Sequence, residues 1–250
     1  MKTLAACLCT AAAAALGFVA AIGADAPQPQ PRTYEVYRAA HTPTMDGKID
    51  EPAWHRVVMT QHFTDILHPE IPEPFATQVK AIYDDSNLYV SLRAQDDDIW
   101  ATMTQRDQPL WEEEVMEVYL DPDGDGLNYA EFEINPLGTV IDLLIPKPGD
   151  QEDSRKCAQW NCEGLKTGVR VFGTVDNRTD TDLGWTAELA IPWASVPGVK
   201  RLPPQPGDVF RVQFYRIERR KGAEDEPICL AWSPTNTFHA PAHFGRIVLQ

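Results

Sequence analysis

The chain has 250 residues, and its 37 acidic side chains against 22 basic ones leave a formal net charge of −15. An acidic surface of that size repels phosphate backbones and excludes nucleic acid as a partner, while leaving neutral ligands and divalent cations open. The length suits one large domain, since all-β sandwiches commonly run past about 200 residues without dividing.

In chain order, Lys2 supplies a basic start and residues 4–22 an Ala-rich apolar stretch ending among the small residues Ala21, Gly23 and Ala24. This is the pattern of an export signal covering residues 1–24, which places the mature protein in the periplasm or outside the cell. Two lesser alternatives are retention of the stretch as an N-terminal anchor and lipid attachment at Cys7. The Leu4-Ala5-Ala6-Cys7 box stands before the apolar run, whereas a lipidation box follows it. Residues 25–32 (DAPQPQPR) read as a Pro/Gln linker unable to pack, and residues 33–250 as the folded domain. No other segment is apolar enough to cross a membrane.

Short runs rich in β-branched and aromatic residues follow, at 77–83, 88–94, 115–120, 129–135, 139–145, 169–175, 185–191, 209–217, 228–232 and 246–249. Several alternate: Val79, Ala81 and Tyr83 against Lys80 and Ile82, and Phe132 and Ile134 against Glu131, Glu133 and Asn135. Period-two patterning marks strands with one buried face. Asp84-Asp85-Ser86-Asn87 and the run from Asp121 to Gly126 have the composition of hairpin turns. Helical periodicity is never sustained, and only 192–196 suggests a turn of helix. The expected fold is all-β, an antiparallel sandwich of about ten or more strands in one domain.

The chain has no G-x-S-x-G elbow, no H-E-x-x-H helix and no glycine-rich phosphate loop. Its six histidines are scattered, without zinc-ligand spacing. No organic cofactor is expected. Asp121, Asp123 and Asp125 form D-x-D-x-D-G, the opening of a calcium loop, but the twelfth position is Phe132, so it is not an EF-hand. A structural calcium and a metal-free Asp/Gly hairpin both remain open. Beyond the apolar stretch, Cys157, Cys162 and Cys229 remain, and in an oxidising compartment Cys157 and Cys162 are the closest couple for a disulfide.

The order of motifs is more informative. Met45-Asp46-Gly47-Lys48-Ile49-Asp50-Glu51-Pro52-Ala53-Trp54 comes first, then Tyr83-Asp84-Asp85-Ser86-Asn87-Leu88-Tyr89-Val90. Next are Trp111-Glu112-Glu113-Glu114-Val115-Met116-Glu117-Val118-Tyr119-Leu120-Asp121, and finally Trp232-Ser233-Pro234-Thr235-Asn236 and Phe244-Gly245-Arg246. From about Ala39 to Leu249 this series resembles the family 9 carbohydrate-binding modules, a DOMON-like β-sandwich group attached to secreted xylanases and similar enzymes. The resemblance implies a non-catalytic domain that sandwiches a terminal sugar between two aromatic rings, with polar groups reading its hydroxyls. Trp111 stands at the first aromatic wall, with Phe238 and His239 in the loop that carries the second. Glu117 and Asn135 fall on binding positions of the family. Two residues before that asparagine the family carries arginine, and here stands Glu133. Gln213 matches a glutamine on a late strand, with Arg216 offered as a replacement cation. Asp46-Gly47 and Trp54 read as architecture, the ring sealing one end of the sandwich.

The ligand implied is a mono-, oligo- or polysaccharide, and the implied partner a secreted glycoside hydrolase engaged in polysaccharide breakdown. A second reading makes Glu117 and Glu133 a glycosidase pair, which needs two carboxyls at a set separation. A third, a haem-binding DOMON relative, requires axial Met or His ligands, and no well-placed pair is visible.

Overall fold

The computed structural model describes residues 30–69 and 75–250. The expected export signal and the start of the linker lie outside these residues. Within them are twelve strands: β1 (Thr33–Arg38), β2 (Thr64–Asp65), β3 (Thr77–Tyr83), β4 (Asn87–Ala94), β5 (Val115–Asp121), β6 (Tyr129–Ile134), β7 (Val140–Ile145), β8 (Lys166–Phe172), β9 (Gly184–Pro192), β10 (Val209–Glu218), β11 (Ile228–Ala231) and β12 (Gly245–Leu249). No helix among the described residues is long and apolar enough to cross a membrane.

A front sheet runs β7-β6-β5-β10-β12-β1, with β11 on the end of β10 and β2 on β11. A back sheet runs β1-β3-β4-β9-β8. Strand β1 belongs to both. Its residues from Thr33 to Val36 pair with β12 and then Tyr37 and Arg38 pair with β3, both in parallel. The sandwich is therefore antiparallel except at this one seam.

Alternation explains how the sheets meet. On one face of the front sheet, Met116, Val118, Leu120, Ala130, Phe132, Ile134, Val212 and Phe214 point inward. They pack against Val79, Ala81, Val90, Leu92, Trp185, Ala187 and Leu189 of the back sheet. The β8 ladder runs over Lys166–Phe172, three residues ahead of the apolar run 169–175. Pairing of Phe172 with Gly184 ends it, and Val175 instead packs against the core from the following loop.

The β3–β4 turn is closed by one side chain. Asp84 Oδ1 accepts the N–H groups of Ser86 and Asn87, both at 2.8 Å, and its Oδ2 accepts the Tyr89 hydroxyl at 2.7 Å. Trp54, at the end of the first motif, is fully buried. It does not seal an end of the sandwich but packs on the outer face of the back sheet with Ile82, Tyr89 and Ala190. Its indole N–H donates to Glu188 Oε1 at 2.8 Å, while Glu188 Oε2 accepts the Gly47 N–H at 2.8 Å. Gly47 has φ +79°, and a Cβ there would lie 2.3 Å from the Val169 carbonyl carbon, so the turn can seat only with glycine.

The cysteines depart from expectation. Cys157 and Cys162 are buried free thiols, not a disulfide. The α-turn Ser154–Cys157 brings Cys157 onto the outer face of the front sheet, whereas Cys162 enters the core between the sheets. Burial pushes the Cys162 thiol up to about 12.

Trp54→Ala removes a buried indole and leaves Glu188 without that donor. It should cost about 3–5 kcal/mol of stability, measured by chemical denaturation.

Candidate functional site

The outer face of the front sheet carries the polar half of the pattern. Strand β5 places Glu117, Tyr119 and Asp121 there, β6 places Tyr129, Glu131 and Glu133, and β10 places Gln213 and Tyr215. Register sets Glu117 opposite both Glu133 and Tyr215, and Tyr119 opposite Glu131 and Gln213. Directly opposed residues have Cβ atoms about 4.5–5.5 Å apart, so Glu117 and Glu133 share one patch.

Loops cover this face. The 3-10 turn Leu110–Glu112 brings Trp111 onto it, and the segment after β11 brings Phe238 and His239. Both Trp111 and Phe238 are half-buried against the same cluster as Tyr119, Tyr129 and Tyr215. The Phe238 and Tyr215 ring centroids are 4.6 Å apart, and His239 lies 5.2 Å from the ring of Tyr119. His239 holds a left-handed φ of 51°, and its Nδ1 is 3.0 Å from the Tyr129 hydroxyl.

Under this cover the carboxyls are almost dry: Glu117, Glu131 and Glu133 are no more than 2% exposed. One oxygen of each (Oε2) has no hydrogen-bond partner in the protein. The carboxyls of Glu117 and Glu133 are both raised well above their ordinary range. Burial is the main cause, followed by Glu131 for Glu117 and by Glu117 for Glu133. His239 is lowered by burial, against the opposing pull of Glu131. Tyr119 donates to Glu131 Oε1 at 2.8 Å.

Not every expected residue joins the patch. Asn135 is buried and holds the β6–β7 turn: Oδ1 accepts the Leu137 and Thr139 N–H groups, and Nδ2 donates to the Met103 carbonyl at 2.9 Å. Gln213 is tied to Ser233, donating to its carbonyl and accepting its N–H, each at 2.8 Å. Arg216 stands elsewhere. It is an odd number of residues from Gln213 and Tyr215 points the other way, so its guanidinium enters the opposite side of β10. There it donates to Asp96 at 3.1 Å, to Glu218 and to the Gln95 carbonyl at 2.7 Å. The expectation that Arg216 stands in for the missing cation at Glu133 is corrected by this placement. Tyr119, Tyr129, Tyr215 and Glu131 were not singled out from the sequence. The signal was there: in YAEFEI the alternation that buries Ala130, Phe132 and Ile134 puts Tyr129 and Glu131 beside Glu133.

Asp121, Asp123 and Asp125 bring carboxylate oxygens within 4.8 Å of one another. Some of these oxygens also serve the turn, both of Asp121 and the Oδ1 atoms of Asp123 and Asp125. Asp121 accepts the N–H groups of Gly124 and Gly126, both at 3.0 Å, Asp123 that of Asp125 and Asp125 that of Leu127. Calcium takes about 6–8 oxygens, and a carboxylate oxygen that accepts a backbone N–H keeps a second lone pair, so the loop is compatible both with a metal-free turn and with a cation.

Chemically, burial favours the protonated form of Glu117 and Glu133, in which a carboxyl can donate as well as accept, facing flat rings.

A match to a family model described as "Carbohydrate family 9 binding domain-like" spans residues 45–250. Among solved structures, a presumed carbohydrate-binding protein of Bacteroides uniformis is similar at 17% identity, over 88% of this chain and 100% of that one, with a TM-score of 0.65. A family 9 carbohydrate-binding module from Caldicellulosiruptor kristjanssonii, in complex with cellotriose, is 17% identical over 87% of this chain and 94% of its own, with a TM-score of 0.59. A complex with glucose of a module of that family and organism gives 16%, 87%, 96% and 0.57 for the same measures. Among curated proteins there is no significant match. At these identities the solved structures establish the fold.

Two outcomes follow. Because Glu117 and Glu133 are raised above their unfolded values, their contribution to stability is complete below the unfolded carboxyl range and is lost as pH rises above it. Glu117→Gln should therefore lose less melting temperature than wild type between pH 5 and pH 8, read by thermal melts. Separately, calcium or EDTA should leave the melting temperature unchanged, as turn chemistry alone predicts for the aspartate loop. A calcium-dependent rise of several degrees would assign that loop to metal.

Proposed function

We infer from its membership of the carbohydrate family 9 binding domain-like family, to which this chain belongs, that the domain holds the end of a sugar chain on the outer face of the front sheet. The chain is a carbohydrate-binding domain, and the finer reading concerns how and where it binds. Trp111 and Phe238 offer apolar ring surface to the C–H faces of a pyranose. Glu117, Glu131 and Glu133 offer oxygens to its hydroxyls, with Tyr119, Tyr129 and His239 alongside. The observation that carries this reading is the set of unpartnered carboxyl oxygens beneath those rings. A buried polar atom without a partner costs stability, and a ligand hydroxyl would repay that cost on binding.

Glucose and cellotriose in the two C. kristjanssonii complexes support a glucose-based terminus as the ligand to try first. Entry requires the Phe238–His239 segment to lift from Tyr119, Tyr129 and Tyr215, since the acids below it are covered. The proposed setting is the periplasm or the extracellular space, alongside a secreted glycoside hydrolase acting on the same polysaccharide. The apolar stretch at residues 4–22 supports that setting. The proposed role is retention of substrate, with catalysis left to the partner.

Titration calorimetry with glucose, cellotriose and a glycan panel tests the assignment. Trp111→Ala should weaken binding at least tenfold while the melting curve stays near wild type. Unchanged affinity in that variant, or no binding by wild type across the panel, would remove this face as the site.

A further inference from the structure

On the other side of the molecule, a cleft of about 620 Å³ opens on the outer face of the back sheet. Four cations line it, Lys48, Lys80, Arg93 and Arg170, against one acid, Asp50. In a chain of net charge −15 this is a concentration of the scarce sign.

Register explains how it forms. Arg93 on β4, Thr186 on β9 and Arg170 on β8 lie in one cross-strand row. Two strand spacings separate the arginine Cα atoms, about 10 Å. The next row holds Lys80, Ser91 and Glu188.

The local charges are not equally free. Lys48 pairs with Asp46 at 2.6 Å. Lys80 donates to the Trp54 carbonyl at 2.9 Å and is held below its ordinary value, first by burial and then by Arg93. Glu188 is buried, occupied by Trp54, Gly47 and Asp46, and raised to about 7 by that burial. Arg93 and Arg170 are both exposed, and neither makes an ion pair among the described residues.

The apolar part of the wall completes the chemistry. Phe172 is 42% exposed, and the Arg170 guanidinium lies 5.1 Å from its ring centroid. Leu183, 79% exposed, stands on the same wall. A planar guanidinium matches a carboxylate with two parallel hydrogen bonds, and an exposed ring beside it offers a sugar face somewhere to lie.

We propose that this cleft is a second carbohydrate site, selective for an acidic sugar, in which Arg93 and Arg170 hold the carboxylates of a short uronic-acid oligosaccharide over Phe172. The class of ligand rests on the carbohydrate reading of the domain, but the site is separate from the front-sheet face. A short acidic chain suits it better than a long polyanion, which the rest of the surface repels. Binding weakens with salt, because the pairing groups are exposed.

The test uses tetragalacturonate, cellotriose and inorganic phosphate as probes, by titration calorimetry on the wild type, the Arg93→Gln/Arg170→Gln double variant and Trp111→Ala. Wild type should bind tetragalacturonate, and the double variant should weaken it at least tenfold without changing its response to cellotriose. Trp111→Ala should keep tetragalacturonate binding intact. No binding of tetragalacturonate by wild type, or equal binding by the double variant, overturns the proposal. Loss of tetragalacturonate binding in Trp111→Ala overturns it too, by moving the acidic sugar to the front face. Phosphate bound as tightly as tetragalacturonate overturns the choice of a sugar acid. Failure of cellotriose to bind anything, with tetragalacturonate binding retained, counts against the front-face reading alone.

Discussion

Both faces of β5, β6 and β10 are buried, and one of those faces is built partly from carboxyls. A sheet with one solvated face spends its alternation on apolar-in, polar-out. Here the second face is roofed by Trp111, Phe238, His239 and Phe244, so the residues that alternation turns away from the core still lose water. Glu117, Glu131 and Glu133 each keep an oxygen that the protein leaves without a hydrogen bond and a visiting ligand can fill. The raised carboxyls, the covering loop and the unfilled hydrogen bonds all follow from that double burial.

The roof itself is lightly attached. His239 sits in a left-handed conformation and reaches Tyr119 and Tyr129 by long or moderate contacts of 3.4 and 3.0 Å. Phe238 is held by ring contact with Tyr215 and by burial. Asn135 and Gln213, by contrast, are each fixed by several short hydrogen bonds to turns. The face is thus divided: turn-closing amides fixed by several hydrogen bonds, and a Phe238–His239 cover held by ring contacts and few hydrogen bonds. That division is what a sugar site needs if its acids are to stay dry when empty and be reached when loaded.

How much of this was legible in the sequence depended on distance along the chain. The Asp84–Asn87 turn was readable because its donors and acceptor lie within three residues of one another. Most of the strands were readable by alternation, but not β1 (Thr33–Arg38) or the two-residue β2 (Thr64–Asp65), and the end of β8 depended on a distant partner. The contact of Trp54 with Glu188 was not readable. It joins residues 134 apart, and nothing local tells a tryptophan that will lie on an outer face from one that will plug an end. Arg216 is the sharper case. Period two alone separates it from Gln213, and the resemblance to a known site drew both onto one face against that rule. The same rule, applied to YAEFEI, would have gathered Tyr129 and Glu131 with Glu133.

The two outer faces also explain the charge balance. Acids on the front sheet are buried, and burial raises the carboxyls of Glu117 and Glu133, so they add less to the surface field than the formal count suggests, while the exposed acids elsewhere set the overall sign. The back-sheet cleft gathers Arg93, Arg170 and Lys80 around a Glu188 whose carboxyl is spent on Trp54 and the Asp46–Gly47 turn. The motif that anchors Trp54 is therefore also what ties up the acid that would otherwise neutralise the arginine row. Architecture and the charge of the cleft share one residue, so a change at Glu188 acts on both. Removing the carboxylate loosens the anchor of Trp54 and makes the cleft more positive, whereas removing Arg93 or Arg170 leaves the Trp54–Glu188 hydrogen bond in place.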